Sequence, residues 1–339
     1  KNNQEEMTYS AKHIIVATGA KSREILPLKQ DGKHIIGYRE ALSLKKQPKS
    51  MIIVGSGAIG VEFAYFYNTM GTDVTIVEYL PNITPNEDQD VSKELEKQLK
   101  KQGVKILTES TIDKVTQTNT GSIATIKNKN ETFELNADVI LSAVGIVPNI
   151  ENIGLEGLGI GTKGGKIMVD DYYCTNIDGY YAIGDVVKGP SLAHVASAEG
   201  IVCVEKIAGL NPEPINYNNI PGCTYCSPEI ASVGLSEKDA REQGYELKIG
   251  KFPFSASGKA SAAGHKEGFV KVIYDSKYGE LLGAHMIGYN VTEMIAEIVA
   301  VRNLETTGHE ILKSIHPHPT MSEAIMEATA AAYGEVIHL

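Results

Sequence analysis

Short unbroken apolar runs alternate with helix-spaced stretches through most of this chain, and the texture shifts to period-two alternation towards its end. Residues 51–54 are an apolar run suited to a buried parallel strand. Behind them Ile59, Phe63, Phe66 and Met70 recur at three- and four-residue intervals, which predicts a helix stopped by Gly71, and residues 74–77 read as a second strand ending at Glu78. Residues 90–102 carry charge and Leu at helical spacing, 104–107 read as a third strand, and 111–115 with 121–135 alternate as an antiparallel meander would. A further buried strand covers 137–144 and is closed by Gly145. Upstream, 13–16 is strand-like and 38–44 a short helix; downstream, 181–183 is a strand and 192–207 a helix. From Tyr217 onward, strands at 230–233, 246–252, 268–274 and 279–287 with helices at 237–243, 291–302 and 323–333 predict a separate α+β domain starting near residue 216.

The first strand, helix and second strand enclose Gly55, Gly57 and Gly60 at G-x-G-x-x-G spacing. In such a unit Gly55 permits the tight turn, Gly57 lets the backbone approach a pyrophosphate, Gly60 lets helix and strand pack closely, and the helix N-terminus offers N–H groups to phosphate. Glu78 then faces a ribose. A carboxylate accepts from the 2′-hydroxyl and repels a 2′-phosphate, and residues 79–89 contain no Arg or Lys to hold that phosphate, so the expected nucleotide is NAD and not NADP.

Composition narrows the picture. A net charge of −10 and the lack of a dense basic run argue against a nucleic-acid surface or polybasic anchor. No apolar stretch reaches the ~18 residues of a membrane helix. The opening KNNQEEMTYSAKH has no signal-type apolar region and the four cysteines form no disulfide framework, so the cytoplasm is the expected location.

Other stretches carry candidate chemistry. Residues 181–183 deliver Gly184 and Asp185 to a strand C-terminus, where open α/β sheets bind ligands; Asp185 could bind a ribityl hydroxyl, or the pair could form only a turn. Cys223 and Cys226 form a C-x-x-C, but Pro221 and Pro228 bracket it in an extended segment and no second pair completes a zinc site, so packing is the expectation. In His316-Pro-His318-Pro-Thr-Met-Ser-Glu323, the prolines fix the backbone around His318, and Glu323 is close enough to orient an imidazole acting as a base. A capping turn with two surface histidines is the alternative. His316 is expected to be dispensable, and His285 to lie in the core.

The motifs IIVATGA, GSGAIGVEF, VEYLP, AVGIVPN, YYAIGDVV with SLAH, PEIASVG, KFPFSAS, LLGAHMIG and HPHPTMSE run in order through the whole chain. Together they resemble the dihydrolipoamide dehydrogenase family of class I pyridine nucleotide-disulfide oxidoreductases. The resemblance implies an α/β fold class: a Rossmann-type NAD(P)-binding domain, the remnant of an FAD-binding domain and a C-terminal α+β interface or dimerisation domain. The expected boundaries are 1–46 for the end of the FAD-binding domain, 47–146 for the NAD-binding domain, 147–215 for the return to the FAD-binding domain and 216–339 for the interface domain. It implies an NAD-dependent flavoprotein that oxidises dihydrolipoamide through a redox disulfide and FAD, as a homodimer serving the lipoyl-bearing component of a 2-oxo acid dehydrogenase or glycine cleavage complex.

Carried over by position, NAD would meet Gly55, Ser56, Gly57, Ala58, Ile59, Gly60, Val61, Glu62, Glu78, Ile112 and Gly145, with Glu62 also reaching towards the flavin. FAD would meet Thr18, Gly19, Ala20, Asp185, Ser191, Leu192, Ala193 and His194. His318 and Glu323 would be the acid–base pair, serving the thiols of the partner subunit. The family's first FAD loop and C-x-x-x-x-C pair lie upstream of ATGA, and residues 1–17 supply neither; the chain is therefore expected to be the C-terminal part of such an enzyme, without disulfide turnover of its own. Two alternatives stand beside this reading: a glutathione or mercuric reductase type, and a non-catalytic NAD-binding dimerisation module.

Overall fold

Five short parallel strands, in the order Ile35–Ile36, Val139–Ser142, Ser50–Val54, Asp73–Val77 and Lys105–Leu107, form the sheet that carries the glycine loop. The structure, a computed structural model, describes residues 7–338. The central strands are apolar at successive positions because both faces of the sheet are covered. On one face Met51, Ile53, Val74 and Ile76 pack against Val61 and Ala64 of helix Ala58–Thr69 and Leu95 of helix Gln89–Lys101. On the other, Ile52, Val54 and Val77 meet Ile112, Ala124 and Ile126 of the antiparallel meander Thr111–Gln117, Ser122–Lys127 and Thr132–Ala137. The first helix ends at Gly71, whose φ of +94° closes it in the left-handed region. The second is capped by the Asp88 side chain, which accepts from the Asp90 N–H.

The C-terminal sheet is antiparallel, in the order Gly222–Thr224, Glu229–Gly234, Leu281–Gly288, Phe269–Asp275 and Leu247–Pro253. Helix Glu323–Tyr333 packs on it, with the Tyr274 and Thr329 hydroxyls 2.9 Å apart in the core. His285 is buried in this sheet, its Nε2 2.9 Å from the Leu235 carbonyl oxygen.

The described chain divides into two compact units. The larger holds both sheets, from Glu24 to Gly145 and from Asn218 onward. Its two parts share a core: Ile230, Phe269 and Ile287 of the antiparallel sheet cluster with Leu95 and Leu99 of the nucleotide part. Cys226 belongs to the same core, in an extended segment, and its thiol donates to the Pro228 carbonyl. The seam is also ionic. Lys271, 3% exposed, reaches Asp88 at 2.9 Å, Glu237 at 2.9 Å and Asp90 at 3.2 Å. Burial alone would depress this ammonium, but the carboxylates outweigh it and raise its pKa; Lys271 in turn holds Asp88 and Asp90 below the ordinary carboxylate value against the opposing effect of burial.

The smaller unit comprises the described residues up to Arg23 and Ile146–Tyr217. Strands Ile14–Val16 and Tyr180–Ala182 pair in parallel, and Ala20–Ser22 pairs antiparallel with Ile146–Pro148. The expected 1–46 segment does not stay together, since Ile35–Ile36 pairs with Val139–Ser142 and residues from Glu24 join the larger unit. Residues 1–6 of that segment, and residue 339 at the end of the expected interface domain, lie outside the described residues.

Candidate functional site

The glycine loop is dictated by backbone proximity. Gly55 has a φ of +96°, and a Cβ there would lie 2.5 Å from the Ala143 carbonyl oxygen; a Cβ on Gly60 would lie 2.0 Å from the Gly55 carbonyl oxygen. A Cβ on Gly57, the N-cap, would meet nothing, which leaves open space over the helix end for a phosphate. Ala58, Ile59 and Gly60 open that helix, where N–H groups have no intrahelical acceptor. Gly145, at φ +106°, is exposed at the end of the strand neighbouring Gly55. The loop, Ala143 and Gly145 thus converge at the C-terminal edge of the sheet, where parallel sheets bind nucleotides.

Glu78 is 7% exposed and tied to the same loop. Its Oε2 accepts from the Ser56 N–H at 2.8 Å and the Ser56 hydroxyl at 2.6 Å, and its Oε1 accepts from the Leu80 N–H at 2.8 Å. A carboxylate offers about four acceptor positions, so capacity remains for a ribose hydroxyl.

Three expected contacts take a different form. Ser56 is fully buried with its N–H and hydroxyl spent on Glu78, so it orients the carboxylate and does not donate to a phosphate. Val61 is buried and its N–H bonds the Gly57 carbonyl, leaving no free donor. Ile112 packs beneath Val54 and Val77 in the core. Glu62 accepts from the Tyr225 N–H at 2.9 Å, and burial raises its carboxyl above the ordinary value despite that bond.

In the smaller unit the paired strands place two loops at one edge. Val16 is in register with Ala182, so Thr18 and Gly19 leave one strand where Gly184 and Asp185 leave its neighbour. Thr18 and Asn149 clasp each other: the Thr18 hydroxyl donates to the Asn149 carbonyl at 2.6 Å and the Asn149 amide to the Thr18 carbonyl at 3.1 Å. Gly19 has φ +67°, and Ala20 is buried at the start of the next strand. Ser191 and Leu192 lead into helix Ala193–Ile207, with Ala193 and His194 exposed in its first turn. Asp185 lies in a one-turn helix whose Gly184 N–H donates to Glu199. Sequence reasoning missed Glu199. It is 1% exposed and also accepts from the Tyr217 hydroxyl at 2.6 Å; an acid amid the small residues of Ala196-Ser-Ala-Glu-Gly was the available signal. Burial and the Glu199 bond raise the Tyr217 phenol, keeping it a donor. A carboxylate, a glycine turn and a 15-residue helix start suit the ribityl and ring portions of a flavin.

The histidine loop places His318 at the surface. His318, with its side chain 78% exposed, places Nδ1 2.8 Å from Glu323 Oε1, and Glu323 Oε2 accepts from the Thr320 N–H at 2.8 Å. Burial works against the Glu323 carboxylate, but the Thr320 N–H and the His318 ring outweigh it and hold its pKa below the ordinary value. An ionised Glu323 fixes the hydrogen on Nδ1 and leaves Nε2 outward to take a proton. The other histidine is not at the surface: the His316 side chain is 7% exposed and bonded to Glu297. Among the described residues no group of three or more His, Cys, Asp or Glu side chains could hold a metal, and no helix is long and apolar enough to cross a membrane.

Two family models cover this arrangement: pyridine nucleotide-disulphide oxidoreductase over residues 1–200 and the pyridine nucleotide-disulphide oxidoreductase dimerisation domain over residues 220–329. The chain belongs to the pyridine nucleotide-disulphide oxidoreductases. It is 51% identical over 341 residues to the dihydrolipoyl dehydrogenase of Rhizobium etli, covering all of this chain and 71% of that protein. The dihydrolipoyl dehydrogenase of Bacillus subtilis is 44% identical over 339 residues, covering 99% and 72%. Among solved structures, LpdA from Mycobacterium tuberculosis matches with a TM-score of 0.86 at 29% identity, over 94% of this chain and 69% of that one. The HOCl-induced flavoprotein disulfide reductase RclA from Escherichia coli matches with a TM-score of 0.85 at 25% identity, over 94% and 73%.

Proposed function

We propose that the chain is part of a dihydrolipoyl dehydrogenase, to which it contributes His318 as the base that takes the thiol proton and a site for NAD as the electron acceptor. The observation that carries this is the His318–Glu323 contact: an exposed imidazole whose Nδ1 is fixed by a carboxylate, itself braced by a backbone N–H, on a chain half-identical to a dihydrolipoyl dehydrogenase. The ordinary dihydrolipoyl thiol has little thiolate near neutrality, and the thiolate is the nucleophile, so a positioned base accelerates its attack on a disulfide. Glu323 stabilises the imidazolium formed when Nε2 takes that proton.

Bound FAD supplies the two-electron relay between the thiol pair and NAD. Asp185 and Gly184 would hold its ribityl portion, Thr18 to Ala20 and Ser191 to His194 the neighbouring edge. Gly55, Gly57, Ala58, Ile59 and Gly60 would bind the NAD pyrophosphate through backbone, and Glu78 the adenosine ribose. Ser56 and Val61 would support that loop from within, Ile112 would pack beneath it, and Gly145 would lie at its rim. The 216–339 segment would form a homodimer in which His318 serves the partner's thiols, the lipoyl group arriving on a 2-oxo acid dehydrogenase or glycine cleavage component in the cytoplasm. The match of residues 220–329 to a dimerisation domain supports that arrangement.

The test is kinetic, in the FAD-loaded enzyme with its redox disulfide. His318→Ala should lower dihydrolipoamide-dependent NAD reduction about 10²- to 10⁴-fold, with Glu323→Ala milder. NADH oxidation by an artificial acceptor that draws electrons directly from the flavin should survive both. Loss of that second reaction in His318→Ala would point to folding and remove the assignment.

A further inference from the structure

His316, dispensable on the sequence reading, stands two residues before His318 and is buried and bonded in a way that argues otherwise. Its Nε2 lies 2.9 Å from Glu297 Oε1, on helix Val291–Asn303, and its Nδ1 lies 3.2 Å from the Ser314 carbonyl oxygen. An ionised carboxylate and a carbonyl can only accept, so both ring nitrogens must carry hydrogen, and a ring with two N–H groups is an imidazolium. The Glu297 bond is the largest influence on this ring and raises its pKa, with burial opposing. This geometry favours the cationic form of His316 at the root of the loop that carries His318.

From that root the loop is tied at each step. The Thr320 hydroxyl donates to the Pro317 carbonyl at 2.7 Å, the Thr320 N–H to Glu323 Oε2 at 2.8 Å, and Glu323 Oε1 lies 2.8 Å from His318. Glu297 faces His316 from its helix. Glu323 and Glu327 come from helix Glu323–Tyr333, His318 from the same loop, and His338 from beyond that helix, bonded to Glu327. The His316 charge is felt at Glu323, where it favours the carboxylate.

We propose that His316 and Glu297 are a positioning pair for the His318–Glu323 dyad, an imidazolium–carboxylate anchor that fixes the loop backbone and sets the charge around the base. This rests on the reading of His318 as the base. The sign follows directly: removing the His316 charge takes a cation from beside the dyad and leaves Glu297 uncompensated. Both changes disfavour the Glu323 carboxylate that holds the His318 ring, so the Glu323 midpoint moves up towards the ordinary value and activity is lost at a higher pH on the acid side.

Two variants separate anchoring from charge. His316→Gln keeps a donor for Glu297 without the charge, whereas His316→Ala loses both. In nitrogen NMR of the 339-residue chain, His316 should show two protonated ring nitrogens at pH 7, and in carbon NMR both variants should raise the midpoint of the Glu323 carboxyl. In the holoenzyme both should move the acid limb of dihydrolipoamide oxidation the same way. His316→Ala alone should lose much of the plateau rate, up to about 10²-fold as expected of a misplaced group, while the flavin-to-acceptor reaction is kept. A neutral His316 ring at pH 7 overturns the proposal, as does an unmoved Glu323 midpoint in both folded variants. Full dihydrolipoamide turnover in His318→Ala would instead overturn the base assignment and leave the NMR coupling standing.

Discussion

Glu78 and Glu323 each accept a backbone N–H and each orient a functional loop, but their surroundings divide them. Glu78 is 7% exposed and takes three donors, two of them from Ser56 within the glycine loop. The Glu323 side chain is 27% exposed and shares itself between the Thr320 N–H and an imidazole that faces solvent. On the proposed roles, a carboxylate that reads a hydroxyl needs a fixed charge with one acceptor position to spare, so the chain buries it and fills all but that position. A carboxylate that supports proton transfer, as proposed for Glu323, must let its partner exchange hydrogen, and His318 is accordingly exposed.

The largest expected effect breaks the comparison at its reactive end: His318→Ala should remove about 10² to 10⁴ of the dihydrolipoamide rate and leave NADH affinity unchanged in calorimetry. Next comes the seam that joins the two parts of the larger unit. Lys271→Met strands Asp88 in the interior and should cost about 3–5 kcal/mol in denaturant unfolding, without changing the relative affinities for NADH and NADPH.

The same seam carries a pH signature. The Asp88, Asp90 and Glu237 carboxyls are held below their unfolded values, so their contribution is complete above about pH 4 and disappears as pH falls through the lower folded values. The unfolding free energy of the wild type should fall across that window more steeply than that of Lys271→Met. Parallel curves would remove Lys271 as the cause.

Glu78→Ala should reduce the preference for NADH over NADPH by the ~1.5–3 kcal/mol of a hydrogen bond to a charged group, while lipoamide chemistry at saturating NAD persists. Smallest is Ser56→Ala, which keeps the N–H bond to Glu78 and loses the hydroxyl; about 0.5–1.5 kcal/mol of nucleotide affinity should go. A Ser56→Ala effect equal to that of Glu78→Ala would show that the serine contacts the nucleotide itself.

The glycine loop was legible because a strand, a helix, a second strand and an acid stood around its spacing, and helices Ala58–Thr69 and Glu323–Tyr333 fell where their apolar periodicity placed them. Strand Gly222–Thr224 was missed because Gly-Cys-Thr alternates nothing, and Ile35–Ile36 because two residues cannot establish a period. Those strands exist through their neighbours. The site showed the same limit: spacing anticipated the contact of His318 with Glu323, but Glu297, distant in sequence, and the inward turn of Ser56 became visible only when the chain was folded.

The two-residue strand Ile35–Ile36 has a practical consequence for dissecting the protein. It supplies the outer neighbour of Val139–Ser142, although it precedes the glycine loop in the chain. A nucleotide-binding module excised from residue 47 would bare a row of backbone donors and acceptors along Val139–Ser142, an apolar edge of the kind that recruits strands from other molecules. Such a module would be prone to edge-to-edge aggregation with its glycine loop intact. Starting the excision at Glu24 retains the guard strand.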